Sequence, residues 1–436
     1  MSHSVAFYTL GCKLNFSETS TIGRQFIDAG FSKRNFNDGA DLYVINTCSV
    51  TDHADRKCKK VVKEALKFNP DAYVVIVGCY AQLKPDEIAS IPGVDMVLGA
   101  AEKFNMLAHL QHLVKEEKTR VHNANIKETV DFIPGFSLGD RTRAFVKVQD
   151  GCDYFCTFCT IPLARGKSRS NTIEQTIKDL KELKHTEVKE IVLTGVNLGD
   201  FGATNGEDFF GLLQEIDKMA FIERVRISSI EPNLLSQEII EFVSKSNKVM
   251  PHFHIPLQSG SNEILQSMRR KYLIDLYVNR VENIKKAMPH CCIGVDVIVG
   301  FPGETDSHFK ETYNFLNELD ISYLHVFPYS ERKNTTANKM KGVVPNSVRT
   351  ERSQMLRILS EKKKRHFYEQ FIGEVHHVLF EDKEKDGYLF GFTQNYIKIK
   401  IPYDPMMVNE IVSVQLESMD QDGLVLGNTL NSLIHA

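Results

Sequence analysis

The sequence has no run of eighteen apolar residues, so nothing in it is long enough to cross a bilayer as a helix. It also lacks the charged and apolar regions of a secretion signal: Met1-Ser-His-Ser4 leads straight into the strand-like Val5 to Leu10. The expectation is a cytoplasmic protein with no membrane partner. Net charge is only -3, which by itself calls for no polyanion. An even cysteine framework is missing too: nine cysteines spread from Cys12 to Cys292 argue against disulfides and for metal or redox chemistry. Internal repeats and low-complexity segments are absent. What remains is a 436-residue chain, 42% hydrophobic and 25% charged, with material for two or three packed domains.

Residues 1–115 alternate strands and helices: Val5 to Leu10, then Ser17 to Ala29; Leu42 to Asn46, then Asp52 to Phe68; Tyr73 to Val77, then Lys84 to Ser90; Met96 to Leu98, then Lys103 to Val114. That order builds an α/β domain with a doubly wound parallel sheet. Ligands of such sheets sit beyond the carboxyl ends of the strands, where Cys12, Cys48 and Cys79 follow the first three. Residues 116–140 read as a linker. From 141 to 371 the alternation resumes, with strands near Ala144 to Val148, Glu190 to Leu193, Val225 to Ser228, Phe253 to Pro256, Gly294 to Val299 and Tyr323 to Phe327. Six such units predict a partial parallel barrel, followed by a charged helix from Val348 to Phe371. Residues 372–436 read as a small antiparallel β-barrel.

The sharpest signal is Cys152-Asp-Tyr-Phe-Cys156-Thr-Phe-Cys159, directly after the first barrel strand. Three thiolates this close can hold three irons of a cubane cluster and leave the fourth open for chemistry. Structural zinc is the competing reading; it needs a fourth ligand, and no neighbouring cysteine or histidine supplies one.

With Phe158 in its aromatic position, this loop resembles that of the radical S-adenosylmethionine enzymes. Cys12, Cys48 and Cys79 extend the resemblance over nearly the whole chain to the methylthiotransferases. Leu10-Gly-Cys-Lys-Leu-Asn15, Asn46-Thr-Cys-Ser-Val-Thr51, Val148-Gln-Asp-Gly-Cys152, Ile161-Pro-Leu-Ala-Arg-Gly166 and Gly300-Phe-Pro-Gly-Glu-Thr305 are most similar to the MtaB-type branch. The resemblance implies two 4Fe-4S clusters, one on Cys152, Cys156 and Cys159 and an auxiliary one on Cys12, Cys48 and Cys79, making these six the candidate catalytic cysteines. It implies two equivalents of S-adenosylmethionine per turnover: one methylates a sulfur on the auxiliary cluster, the other is cleaved to the 5'-deoxyadenosyl radical. The implied substrate is threonylcarbamoyladenosine in a tRNA anticodon stem-loop, methylthiolated at C2, with an external electron donor and a monomeric enzyme. The branches acting on isopentenyladenosine tRNA or on a ribosomal-protein aspartate share both cysteine triads and stay open as alternatives. So does a non-catalytic RNA-binding protein with structural metal.

Around the cofactor, the resemblance puts Phe158 beside the cluster, and Gly195 and Asn197 of Thr194-Gly-Val-Asn197 near the methionyl amino group. Ser229 and Glu231 could reach the ribose, and Gly300 to Glu304 the adenine. Arg332, Arg165 and Arg169 could grip the carboxylate or substrate phosphates, since guanidinium donates in two prongs. His252 and His254 alternate onto one side of the fourth strand, which could be metal-like, but a buried, hydrogen-bonded histidine is the commoner outcome. Cys58, Cys291 and Cys292 read as packed thiols. For RNA, the tail matches a TRAM domain in length and pattern, yet residues 371–436 carry ten carboxylates against four lysines. The attraction therefore falls to residues 332–370, which hold eleven lysines and arginines against three glutamates. The tail adds Tyr388, Phe390, Phe392, Tyr396, Lys398 and Lys400 for shape and stacking, although alternation predicts at least half of those rings in the barrel core.

Overall fold

The computed structural model describes residues 3–48, 52–110, 112–138 and 142–433. Strands β1 (Ser4–Thr9), β2 (Ser32–Lys33), β3 (Leu42–Thr47), β4 (Tyr73–Gly78), β5 (Met96–Leu98) and β6 (Arg120–His122) form one parallel sheet in the order β2-β1-β3-β4-β5-β6. Every residue of β3 and β4 is buried, as apolar runs covered on both faces must be. Separate apolar clusters line the two faces. The order reverses between β1 and β3, and such a switch point opens a crevice past the strand ends. There Cys12 caps the helix Lys13–Asp28, which begins earlier than the pattern from Ser17 indicated. The expected helix over Lys103 to Val114 shrinks to a turn, Lys103–Asn105, and Met106–His109. The chain leaves helical geometry at Leu110 and runs out to β6, a strand whose three residues are too few to read inside a linker.

The linker also yields β7 (Gly135–Phe136), antiparallel to β8 (Arg143–Lys147). A short pair, β9 (Gln149–Asp150) and β10 (Arg169–Ser170), brackets the cysteine loop. The barrel strands β8, β11 (Glu190–Thr194), β12 (Arg224–Ile227), β13 (His252–Gln258), β14 (Cys292–Val299) and β15 (Tyr323–Pro328) run parallel in sequence order. Between β12 and β13 the ladder thins to two bridges, Val225 with Val249 and Ser229 with His254. The barrel does not close: the helix Lys13–Asp28 packs on β7 and β8 at one flank, and the helix Asn346–Glu369 packs on β15 at the other.

The tail is a closed barrel of β16 (Val375–Lys385), β17 (Tyr388–Thr393), β18 (Lys398–Pro402), β20 (Val425–Leu433) and β19 (Ile411–Met419), in that order. All its pairings are antiparallel except β18 with β20. Its core takes Leu389, Ile397, Ile399 and Ile401, so the neighbouring rings face outward, contrary to the core placement expected for at least half of them. Two of these rings dock the tail onto the amino ends of the larger barrel. Tyr396 stacks on His252 with centroids 4.1 Å apart, and the Arg143 guanidinium lies 4.8 Å over Phe392. Beneath them Arg226 grips both oxygens of buried Glu190 at 3.0 Å and donates to the Gln394 carbonyl. Arg226→Ala should lower unfolding free energy by about 3–5 kcal/mol, because it removes the close partner at both oxygens of a buried carboxylate and leaves only Arg143, 3.9 Å away. Urea denaturation checks this, and a loss under ~1 kcal/mol would show that the pair is not what holds the seam.

Candidate functional site

The loop carrying Cys152, Cys156 and Cys159 leaves the carboxyl side of β8 and β9, with Gly151 at φ 70. A Cβ there would stand 1.9 Å from the Lys167 carbonyl oxygen, so this tight return requires glycine. Each sulfur faces a donor: Tyr154 N–H reaches Cys152 Sγ at 3.3 Å, Ile161 N–H reaches Cys159 Sγ at 3.4 Å, and Arg270 Nη1 reaches Cys156 Sγ at 3.2 Å. Burial pushes the Cys152 and Cys159 thiols up to about 12. Left alone they would be neutral, yet each accepts the hydrogen bond that suits thiolate or sulfide. Iron would supply the missing positive charge, so the donor set fits an iron–sulfur cluster.

Around this loop, Gln149 Oε1 accepts from the N–H groups of Val196 and Asn197 at 2.8 and 2.9 Å, fixing the turn of Gly195. Asn197 is buried, with Nδ2 on Asp200 and Oδ1 lacking a hydrogen bond. Ser229 is half-buried at its bridge to His254. Glu231 meets Arg270, a residue belonging to no motif, and Arg270 joins it to Cys156. Glu304 closes its own turn by accepting from Gly300 N–H at 2.8 Å, and Arg352 holds the same oxygen at 2.6 Å. A cavity of about 230 Å³ lies between Phe158, Cys159, Gln258, Asp296, Phe327 and Arg332.

The other three thiols converge on the switch point. Thr47 stands opposite Gly78 in the β3–β4 register, so Cys48 and Cys79 leave the sheet side by side. Gly11 lets the Cys12 loop lie against Cys48: a Cβ at Gly11 would sit 2.6 Å from that of Cys48. Burial raises the Cys79 thiol, opposed by Arg165 and Lys103, and Cys12 is close enough to act on it.

Arg165, expected at the substrate, is 1% exposed and turns away from solvent. Its Nη1 lies 2.9 Å from both Glu18 Oε1 and Asp150 Oδ1, and its Nη2 lies 2.7 Å from Asn15 Oδ1. Lys103 and Lys147 complete the set, at 2.7 and 3.2 Å from Glu18, with Lys147 also 2.8 Å from Asp150. Burial works against both acids, but Arg165 and Lys147 hold Glu18 and Asp150 well below the carboxylate range. Against its own burial, Arg165 is held well above its ordinary value, foremost by Cys79. Three buried cations face two carboxylates, so an anion gathered on Cys12, Cys48 and Cys79 would complete the balance. This second donor set also fits a cluster.

The remaining arginine expectations shift likewise. Arg169 is spent on Asp150 and on the carbonyls of Asp131, Arg165 and Lys167. Arg332 does line the cavity, where it pairs with Asp55 at 2.9 Å and ties the barrel to the first domain. Much of the basic stretch is consumed internally, Arg349 by Glu331, Arg352 by Glu304 and Asp306, Lys364 by Glu361, and Arg365 by Glu369. On the tail, Lys398 lies 5.1 Å over Phe390 and Lys400 lies 4.7 Å over Tyr388, an outward stripe in which Lys400 also meets Asp420. His252 is buried and bonded to the Tyr323 hydroxyl at 3.0 Å. Cys58, Cys291 and Cys292 are packed thiols.

Comparison with known proteins agrees with this geometry. Residues 146–316 match the Radical SAM superfamily, and residues 4–99 match the uncharacterized protein family UPF0004. The chain is 42% identical to the threonylcarbamoyladenosine tRNA methylthiotransferase MtaB of Bacillus subtilis, covering 95% of this chain and 93% of that protein. It is 31% identical to the tRNA-2-methylthio-N(6)-dimethylallyladenosine synthase of the same organism, over 97% of this chain and 86% of that one. Among solved structures, the radical S-adenosylmethionine methyltransferase TsrM from Kitasatospora setae superposes with a TM-score of 0.57 at 13% identity, covering 78% of this chain and 77% of that one, a likeness of fold.

The buried charge set makes an acid-sensitivity test. Glu18 and Asp150 titrate below their unfolded values, so the stability they add is present above about pH 4 and disappears as pH falls through the folded values. Arg165→Met removes the main support of Glu18, raises that folded value, and should move the acid-unfolding midpoint upward. Circular dichroism against pH measures it; an unchanged midpoint would contradict the assignment.

Proposed function

The chain belongs to the threonylcarbamoyladenosine tRNA methylthiotransferase family, and from that premise we propose that it places a methylthio group on C2 of the adenine in N6-threonylcarbamoyladenosine beside the tRNA anticodon. The observation that carries the proposal is Arg165: six residues past Cys159, it reaches Asn15 and Glu18 on the helix that Cys12 caps. One buried ionic junction thus ties the two thiol sets together. In this reading Cys152, Cys156 and Cys159 hold one 4Fe-4S cluster, and Cys12, Cys48 and Cys79 hold a second. When bound, the first with S-adenosylmethionine supplies a radical able to take a hydrogen atom, and the second supplies the sulfur to be transferred.

The chain's own residues do the rest. Arg270 donates to Cys156 and shares its charge with Glu231, which favours the anionic form of that sulfur. Asn197 Oδ1 is a buried acceptor without a hydrogen bond, suited to the methionyl ammonium of S-adenosylmethionine. Phe158 and Phe327 wall the cavity and offer the reacting base apolar rings to lie against. The outward stripe of Tyr388, Phe390, Lys398 and Lys400 offers stacking and charge to RNA beyond the chamber. An electron donor of low potential must reach the first cluster from outside. Higher identity to the threonylcarbamoyl-specific relative than to the dimethylallyl-specific one favours the first substrate.

Anaerobically reconstituted protein should bind about eight irons, and a Cys12→Ala/Cys79→Ala variant about four. The variant should still form 5'-deoxyadenosine from S-adenosylmethionine yet leave no 2-methylthio nucleoside in digested tRNA, as read by mass spectrometry. Full iron content in the variant, or methylthio product from it, would refute the assignment. Cells lacking the chain should lose the 2-methylthio-threonylcarbamoyl nucleoside; loss of the isopentenyl analogue instead would assign the other branch.

A further inference from the structure

Lys13 follows Cys12 directly and opens the helix that packs on β8. The charges acting on its ammonium are those of Arg143 on β8, Arg226 on β12 and Glu190 on β11, besides Cys12. His252 on β13 feels Lys13 as well. A lysine from the first domain therefore stands at the flank of the partial barrel, within the field of groups belonging to four of its strands. The charge there is unbalanced. Glu190 is already held at both oxygens by Arg226, with Arg143 3.9 Å away, and Arg143 turns to Glu381 at 2.8 Å. Lys13 is half-buried, and among the described residues its side chain takes no ion pair and no hydrogen bond, although the charges nearest it are mostly cations. An ammonium set among like charges is a ready partner for an anion arriving from outside.

A second observation points the same way. On the next strands His254 Nε2 lies 2.8 Å from Asp296 Oδ1, and His325 Nδ1 lies 3.5 Å from the same oxygen. Both imidazoles use the same oxygen, so Asp296 Oδ2 is left outside these pairs. Asp296 also lines the cavity beside Phe158 and Cys159. The chamber is thus cationic toward β8 and polar toward β14. An isopentenyl arm brings these groups no polar partner, whereas a threonylcarbamoyl arm brings a carboxylate, a hydroxyl and a further N–H group.

Building on the functional reading above, we propose that Lys13 is the specificity-determining residue of this enzyme, pairing with the threonyl carboxylate of the substrate while Asp296 accepts from its carbamoyl N–H. Lysine suits the first task as a mobile point charge on a long stem. Specificity then comes from the domain that carries the auxiliary cysteines, one residue from a thiol.

The test uses two synthetic anticodon stem-loops, one with the natural threonylcarbamoyl arm and one whose threonyl carboxylate is converted to a primary amide. Wild type should favour the acid by about 10- to 100-fold, both in Kd by fluorescence anisotropy and in kcat/KM. Lys13→Gln should weaken binding of the acid by a similar factor, mainly through KM, and no longer tell acid from amide; Lys13→Arg should restore most of the preference. Iron content and RNA-free 5'-deoxyadenosine formation confirm that the clusters of each variant are intact. An iron-replete Lys13→Gln that discriminates like wild type, or a wild type indifferent to the amide, overturns the proposal. If wild type binds and modifies neither stem-loop, the functional reading itself fails.

Discussion

The structure depends on one buried ionic junction. Arg165, Lys103 and Lys147 meet Glu18 and Asp150 at the point where the first sheet, the cysteine loop and β8 come together. Ions removed from water on this scale are an expensive way to join two domains, and apolar side chains of similar size would often do as well or better. The junction makes physical sense if its surplus cation belongs to a third party. Cys79 and Cys12 lie within its field, and three thiolates around a cubane carry net negative charge. On the proposed reading the clamp is also half of a cofactor site, and the group enclosed there would help to align the domains.

That view also explains why Arg165 does not face substrate. It sits at the end of a five-residue helix, Ile161–Arg165, directly after the last cysteine of the loop. Any displacement of that loop would drag the guanidinium out of register with Glu18, Asp150 and Asn15 at once. The geometry of one thiol set is thereby tied to that of the other. A single lysine at this position would make one of those contacts and forfeit the planar fork that spans three partners.

How much of this could be read from sequence follows from how local each signal is. Runs such as Leu42–Thr47 and the spacing from Cys152 to Cys159 are contained within a few residues, and they fixed both the layers and the metal-binding character. Strand ends placed Cys12, Cys48 and Cys79 at a common edge because parallel sheets collect ligands there. The role of Arg165 was hidden: its partner Glu18 lies 147 residues away, in a helix whose pattern shows only amphipathicity. Arg270 was invisible for the same reason, since its three contacts come from the cysteine loop, from the turn after β12 and from its own neighbour Tyr272. In the tail, alternation was present but its phase was misjudged: Leu389 and Ile399 take the inside, which turns Tyr388, Phe390 and Phe392 out.

Phe392 and Tyr396 show what that phase achieves. Outward rings on a small barrel are free either to meet RNA or to meet the larger domain, and these two are committed to the latter by Arg143, Arg226 and His252. The tail therefore plugs the amino end of the partial barrel, opposite the cysteine loop, so a target base must enter from the carboxyl side, where Phe158 and Phe327 line the cavity. With one end stoppered and one flank covered by the helix Lys13–Asp28, the chamber has a floor, and charged groups placed deep within it can sense the far end of an adenine's N6 substituent. A modification enzyme that must recognise its substrate's earlier modification needs such depth, because the reacting carbon and the distinguishing arm lie on different edges of the same base.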